Sequence, residues 1–205
     1  MSNELPFFER PDLSPYLVHL TRRSSDNGFS AFENLISILL DGRIEGSTTK
    51  KGFIKGVNPA ACFMDIPLNS LKYVLNQANT DPAKPRYEPY GIVITKKTAY
   101  KKGCRPVIYL SDAEMEQLGI AEDEKWRVVR LENVDGTGVN WIHEREWRCK
   151  GSLIMPESPI AVLVKSSNEA ARLQKVLSKR KRDFASMPNS IIPLSILCQG
   201  LPYMS

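Results

Sequence analysis

Histidine is almost missing from this chain: His19 and His143 are the only two in 205 residues. Chemistry that needs several imidazoles is therefore excluded. Cysteine is sparse as well. Cys62, Cys104, Cys149 and Cys198 stand more than forty residues apart and form no CxxC pair. That spacing argues against a zinc site and suits small buried hydrophobes. No run of about 18 apolar residues occurs, so no membrane-spanning helix is expected. The opening MSNELPFFERPDLS lacks an apolar stretch behind a basic head, unlike a secretory signal. A reduced, cytoplasmic protein without a membrane partner is expected. Walker A, GxGxxG, HExxH and GxSxG patterns are all absent. The commonest nucleotide-binding, zinc-hydrolase and serine-hydrolase templates are thereby removed, and no metal is expected.

What is present is ordinary for a folded domain: 42% hydrophobic and 25% charged residues. The length suits one domain over residues 1–205, with a core that needs no staples. Charge is +5, from 28 basic and 23 acidic side chains. Asp112 to Asp135 is strongly acidic, so the remainder is more basic than the net suggests. A polyanionic partner is permitted but not demanded.

Tyr16-Leu-Val-His-Leu is short and β-prone, and a polar loop from Thr21 to Gly28 follows it. Ser30-Ala-Phe-Glu33 is a capping box. Phe32, Leu35, Ile36 and Leu39 then mark one face of a helix, and Gly42 closes it. Ser47 to Pro59 is expected as an exposed loop, and Ala60 to Met64 as a strand. Pro67 opens a second helix through Leu75. Strands are expected at Tyr90–Thr95, Pro106–Leu110, Trp126–Leu131 and Ile160–Val164, with a last one at Ile191–Leu197. Ser111-Asp-Ala-Glu114 repeats the capping box. Asp135-Gly-Thr-Gly is turn chemistry, and a helix is expected from about Asn168 to Ser178. Strands outnumber helices and do not alternate with them, which predicts an α+β fold.

Two segments stand out. His19-Leu-Thr21 puts a histidine at the end of an apolar strand, where a buried, hydrogen-bonded ring is the plain alternative to a ligand role. Trp141-Ile-His-Glu144-Arg-Glu146-Trp-Arg148 presses charges between two tryptophans. If it is one strand, Glu144, Glu146 and Arg148 share a face. Two carboxylates so placed repel, and each needs a cation, a donor or a catalytic task. An exposed edge strand with interleaved ion pairs is the competing reading.

His19-Leu-Thr21 followed by Asn34-Leu-Ile-Ser-Ile-Leu-Leu-Asp-Gly42 resembles the opening of DarT-type ADP-ribosyltransferases. Arg145-Glu146-Trp147, followed by Ile160-Ala-Val-Leu-Val, resembles their catalytic glutamate strand and the strand after it. Cys62-Phe-Met-Asp-Ile-Pro67, Arg86-Tyr-Glu-Pro-Tyr-Gly91 and His143-Glu-Arg-Glu-Trp-Arg148 are similar to AbiGi-type phage-resistance proteins. The resemblance implies a split antiparallel sheet with flanking helices, NAD as co-substrate, and a toxin or phage-defence effector. An antitoxin protein would be its partner.

In such a transfer, positive charge grows on the ribose as nicotinamide leaves, and a fixed carboxylate stabilises it. The resemblance implies Glu146 as that carboxylate, with Glu144 as the alternative or as the acid that orients the acceptor. It implies His19 as a ribose contact with Thr21 beside it, and an aromatic on nicotinamide chosen from Tyr87, Tyr90 and Phe63. Each tyrosine has core packing as its plain alternative. Arg22, Arg43 and Lys51 are candidates for the diphosphate. The acceptor stays open among DNA, RNA, protein and a small molecule, with the basic surface mildly favouring a nucleic acid; Lys179-Arg-Lys-Arg182 could contact phosphates, with the solvated end of a helix as its plain alternative. The rival functions are a non-catalytic binding or antitoxin-like component on the same fold, and a nucleic-acid binder that does not use NAD.

Overall fold

The structure is a computed structural model, and it describes residues 10–24, 28–49, 54–81, 83–134 and 137–198. In chain order the strands are β1 (Tyr16–Leu20), β2 (Arg43–Ile44), β3 (Ala60–Phe63), β4 (Gly91–Thr95), β5 (Arg105–Pro106), β6 (Ile108–Leu110) and β7 (Val128–Arg130). They continue as β8 (Glu132–Val134), β9 (Thr137–Val139), β10 (Trp147–Lys150), β11 (Leu153–Ile154), β12 (Ala161–Val164) and β13 (Ile191–Pro193). The helices are α1 (Ala31–Asp41), α2 (Leu71–Val74), α3 (Lys96–Lys101), α4 (Asp112–Gln117), α5 (Ser167–Lys179) and α6 (Leu194–Leu197). The class is α+β, as the strand-rich, non-alternating pattern predicts. None of the described helices is long and apolar enough to cross a membrane.

The chain divides into two compact units. The first gathers the described residues up to Gly42, Ile66–Lys96 and those from Met155 onward. Its four-stranded sheet runs β1-β4-β12-β13. β4 and β12 are central, and Gly91 to Ile94 and Ala161 to Val164 are buried without interruption. Such unbroken apolar runs belong to strands covered on both faces. β1 and β12 flank β4 antiparallel, whereas β13 joins β12 in parallel. Gly91 is required where β1 and β4 pair, because a Cβ there would stand 2.5 Å from the His19 carbonyl oxygen. α1 buries Phe32, Leu35 and Leu39, and α5 buries Leu173 and Leu177.

The start and end of α1 follow from local chemistry. The Ser30 hydroxyl accepts from the Glu33 backbone N–H at 3.3 Å, and the Glu33 carboxylate accepts from the Ser30 N–H at 2.9 Å. Those two bonds satisfy amides that the first turn would leave unpaired. At the other end Gly42 takes φ 62° and donates its N–H to Ile38.

The second unit spans Arg43–Asp65 and Lys97–Ile154. It holds the three-stranded antiparallel sheet β3-β10-β5 and three two-stranded pairs: β11-β2, β6-β7 and β8-β9. β6 and β7 run parallel. The turn read at Asp135 and Gly136 lies outside the described residues; its flanks pair as an antiparallel hairpin with Val134 opposite Thr137.

Several boundaries differ from the sequence reading. The Trp126–Leu131 strand begins as a 3-10 turn, Lys125–Arg127, before β7. The helix after Pro67 starts as a 3-10 turn at Leu68–Ser70 and leaves only four residues for α2. The last strand stops at Pro193, whose missing N–H suits a helix start, and α6 follows. α3 was not legible, because Lys96-Lys-Thr-Ala-Tyr-Lys carries one buried apolar residue, Ala99. The Ser47–Pro59 loop is not wholly exposed: Ser47 bridges to Ala60 and Ile54 is buried. Residues 50–53 of that loop, including Lys51, lie outside the described residues, as do 25–27 of the polar loop after Thr21.

Two stability predictions follow from these caps. Gly42→Ala pays for a left-handed backbone and also drives its Cβ to 2.8 Å from the Ala185 Cβ. Gly103→Ala meets the same backbone cost at φ 92° with nothing within 4 Å. Urea unfolding should show Gly103→Ala costing about 1 kcal/mol and Gly42→Ala clearly more; equal losses would refute the close contact. Ser30→Ala should cost about 1 kcal/mol at neutral pH. The hydrogen bonds from Ser30 hold the Glu33 carboxyl below its ordinary 4.5. Stability from a depressed carboxylate is present above its unfolded value and is lost as pH falls through the folded one. The gap between wild type and Ser30→Ala should therefore narrow below pH 4.5, and a gap that widens in acid would contradict the capping role.

Candidate functional site

The second unit places the catalytic candidates on and beside β10. β10 begins only at Trp147, because the chain ahead of it reverses. Ile142–Glu144 is a 3-10 turn, and Arg145 leaves it with φ 46° and ψ 51°. No other described residue except glycine has positive φ. A left-handed arginine costs about 1–2 kcal/mol and persists only where its surroundings impose it. Here Arg145 donates its N–H to the Ile142 oxygen at 3.0 Å, and its guanidinium lies 3.5 Å from Asp65. The single-strand alternative for Trp141–Arg148 is thus corrected. Glu144 sits on the turn and Glu146 at the strand entry, so the two carboxylates do not share a strand face.

Glu146 and Arg148 do share one. Arg148 donates Nε–H to Glu146 Oε1 at 2.8 Å and Nη2–H to Oε2 at 3.1 Å. Its Nη1 donates to the carbonyl oxygens of Trp126 and Val128 at 2.9 and 3.2 Å. The Arg148 side chain is 3% exposed and that of Glu146 9%. Burial works against the Arg148 charge, but Glu146 more than offsets it, and the guanidinium's pKa is raised. Cys62 faces Arg148 across β3 and β10. Burial pushes its thiol up, and the Glu146 carboxylate adds to that. Tyr109 completes the surround: its hydroxyl accepts from the Glu146 N–H at 3.1 Å and donates to the Trp141 oxygen at 3.3 Å.

Glu144 is half-buried, and its carbonyl oxygen accepts from the Asp65 N–H at 3.2 Å. Asp65 also accepts from the Trp147 indole at 3.3 Å. Phe63 is 1% exposed and pairs opposite Trp147. Arg43 lies on β2, where its guanidinium pairs with Glu45 at 2.8 Å and donates to Ser152 at 3.3 Å. Among the described residues no group of three or more His, Cys, Asp or Glu side chains is arranged to hold a metal ion.

The first unit holds the remaining candidates. His19 lies on β1 opposite Ile92. Thr21 is buried; its hydroxyl donates to the Ala31 oxygen at 2.9 Å and its N–H to the Tyr90 oxygen at 2.9 Å. It thereby anchors the end of β1 to the start of α1. Tyr90 donates its hydroxyl to Glu169 at 2.7 Å and meets the Phe32 ring edge-on at 5.8 Å. Burial first, then Glu169, raises the Tyr90 phenol's pKa. Arg172 stacks 5.3 Å from the centre of Phe32. Tyr87 carries Arg86 over its ring at 5.2 Å. So within this unit Thr21 and Tyr90 are brought together, and Tyr87 is tied by its N–H to the Asn79 oxygen instead.

Sequence reasoning missed Asp65, Tyr109 and Glu169. Asp65 lies within Cys62–Pro67, and nothing local there signals its contacts with Arg145 and Trp147. Tyr109 and Glu169 each act on a residue far away in the chain, and no local pattern signals that.

The ion pair yields a sharp expectation. Glu146→Gln and Arg148→Met should each cost about 3–5 kcal/mol, since each strands a buried partner. The apolar double replacement Glu146→Leu with Arg148→Met should cost less than either single change. Denaturant unfolding decides it; single variants within ~0.5 kcal/mol of wild type would show that the pair carries no structural weight.

No protein-family model matches this chain. No curated protein matches it either. Two solved structures are similar. "Thermus sp. 2.9 DarT in complex with NAD+" has a TM-score of 0.48 and 14% identity, over 89% of this chain and 96% of that one. "Thermus sp. 2.9 DarT in complex with carba-NAD+" has a TM-score of 0.47 and 14% identity over the same shares.

Proposed function

We propose that this chain is an NAD-dependent ADP-ribosyltransferase with Glu146 as the carboxylate that faces the ribose, and that it modifies a macromolecule, a nucleic acid in particular, as a toxin or defence effector. The observation that carries the reading is the fixed Glu146 carboxylate: two bonds from Arg148 orient it at the head of β10, directly after the strained Arg145. A carboxylate that need not reorganise as charge develops is what an oxocarbenium-like transition state rewards. The motifs around His19 and Glu146 support the same assignment from the sequence side. Glu144, on the neighbouring turn, suits the acid that orients the acceptor. His19 is the ribose contact the motif implies.

The ion pair also favours a second reading. Both Glu146 oxygens are already occupied inside a buried cluster, which is how a scaffold pair looks. In that case the chain is a non-catalytic binding component.

Titration calorimetry with NAD and label transfer from radiolabelled NAD separate the two. The enzyme reading expects NAD binding at millimolar concentration or tighter. It expects Glu144→Gln to keep NAD affinity and lower transfer, and Glu146→Gln, checked for folding by circular dichroism, to lower transfer by about 100-fold or more. His19→Ala should weaken NAD affinity. A folded wild-type protein that ignores millimolar NAD sinks this reading and leaves the binding component.

A further inference from the structure

We infer that Cys104 and Cys149 form an oxidisable cross-strand thiol pair that a hydroperoxide converts to a disulfide.

The pairing of β5 with β10 puts them face to face. Trp147 stands opposite Pro106 and Arg148 opposite Arg105. Continuing that register one step beyond Arg105, where β5 begins, sets Cys149 opposite Cys104. The hydrogen bonds fix which kind of pair this is. Val107 donates its N–H to the Glu146 oxygen at 3.0 Å. Bonded and non-bonded pairs alternate along an antiparallel ladder. Pro106 has no N–H to exchange, so Trp147 and Pro106 are a non-bonded pair, with the Val107-to-Glu146 bond beside it. Arg148 and Arg105 are bonded, and Cys149 and Cys104 are non-bonded. The Cys104 N–H agrees, because it goes to the Ala99 oxygen at 2.9 Å and not across the ladder. A non-bonded pair holds its Cα atoms about 4.5 Å apart and its side chains closest, inside the roughly 4.4–6.8 Å that a disulfide accepts.

The two thiols are free, and the Cys149 thiol donates to the Lys102 oxygen at 3.5 Å, two residues ahead of Cys104. Their surroundings also assign the roles. The Cys104 thiol beside it favours the Cys149 thiolate most, and the positive charges of Arg105 and Lys102 add to that, although burial opposes it; the Cys149 pKa is lowered. The Cys104 thiol moves the other way, through the same contact and its own burial. Thiolate is the nucleophile in peroxide attack. Cys149, the more exposed of the two at 5% against 0%, therefore attacks first. Its sulfur displaces one oxygen of the hydroperoxide O–O bond and becomes a sulfenic acid, while the other oxygen leaves as water or an alcohol after taking a proton. Cys104 sulfur then attacks the sulfenic sulfur, the S–S bond forms, and the hydroxyl leaves as water with the Cys104 proton. Two thiols are oxidised and one O–O bond is reduced. Cys104 is fully buried and Cys149 5% exposed, so the oxidant must be small. Cys62 is a poor competitor, since burial first, and then Glu146 beside it, disfavours its thiolate.

Treating the full-length protein with hydrogen peroxide, then alkylating with N-ethylmaleimide in denaturant, tests the pairing by mass. The product should lose the mass of two hydrogens, carry two maleimides instead of four, and yield a peptide joining Cys104 to Cys149 that dithiothreitol releases. Cys104→Ser should stop the linkage and leave a Cys149 sulfenic acid trapped by dimedone. Cys149→Ser should stop it without such an adduct, and Cys62→Ser should behave as wild type. A linkage through Cys62 or Cys198 would overturn the proposal. So would four free thiols after a peroxide dose that oxidises a cysteine peptide in the same tube. No NAD is needed in any arm, so the outcome is independent of the transferase reading.

Discussion

A guanidinium at 3% exposure is tolerated only where its donors and its charge are met, and Arg148 shows how completely that is done. Two donors go to the Glu146 carboxylate and a third serves two backbone carbonyls. Those carbonyls belong to Trp126 and Val128, where the 3-10 turn gives way to β7. The side chain of one β10 residue thus fixes the entry into another strand. Trp126 packs with Ile54 and Ala60 on the same side, with Cys62 partly buried against them. Leaving Arg148 without its carboxylate would strand a buried charge in this cluster, which is far more costly than losing one hydrogen bond. The geometry of Glu146 is therefore enforced by the stability of its own unit.

The first unit organises its polar residues by another route. The central strands of its sheet are buried and apolar along Gly91 to Ile94 and Ala161 to Val164, and Thr21 and Tyr90 act at strand ends. Thr21 closes β1 onto α1 through its hydroxyl, and Tyr90 stands just ahead of β4 with its hydroxyl on Glu169 of α5. Each bond links a strand end to a helix N-terminus. Such links orient the helix without placing a charge in the sheet, and the core can remain apolar at Val93 and Leu163.

The sequence was most readable where a local rule operates. The capping boxes at Ser30 and Ser111, the closing Gly42 and the apolar runs of β4 and β12 all appear as read, because backbone chemistry within a few residues decides them. The reading failed where distant residues decide. Trp141–Arg148 has the alternation of a strand, yet Arg145 adopts a left-handed turn with Asp65 against its guanidinium. Lys96–Lys101 becomes helical with little apolar signature of its own. The pairing of Glu146 with Arg148 was half visible, since two residues apart on a strand share a face. The carbonyls that complete it come from twenty residues earlier and could not be read.

The ion pair also bears on what Glu146 can do. A lone carboxylate projects a monopole field, whereas a carboxylate locked to a guanidinium projects that of a dipole, which decays faster with distance. The field of Glu146 is therefore felt only at short range. Glu144 is not bound by that constraint, because it sits half-buried on a turn outside the pair. The left-handed Arg145 is what separates the two. Had the segment continued as one strand, both acids would point the same way and compete for Arg148. With the reversal, Glu146 is rigid and charge-balanced, and Glu144 lies outside the pair. The separation of the two acids thus originates in a single strained residue, whose energetic cost is offset by the contacts with Ile142 and Asp65 that hold it.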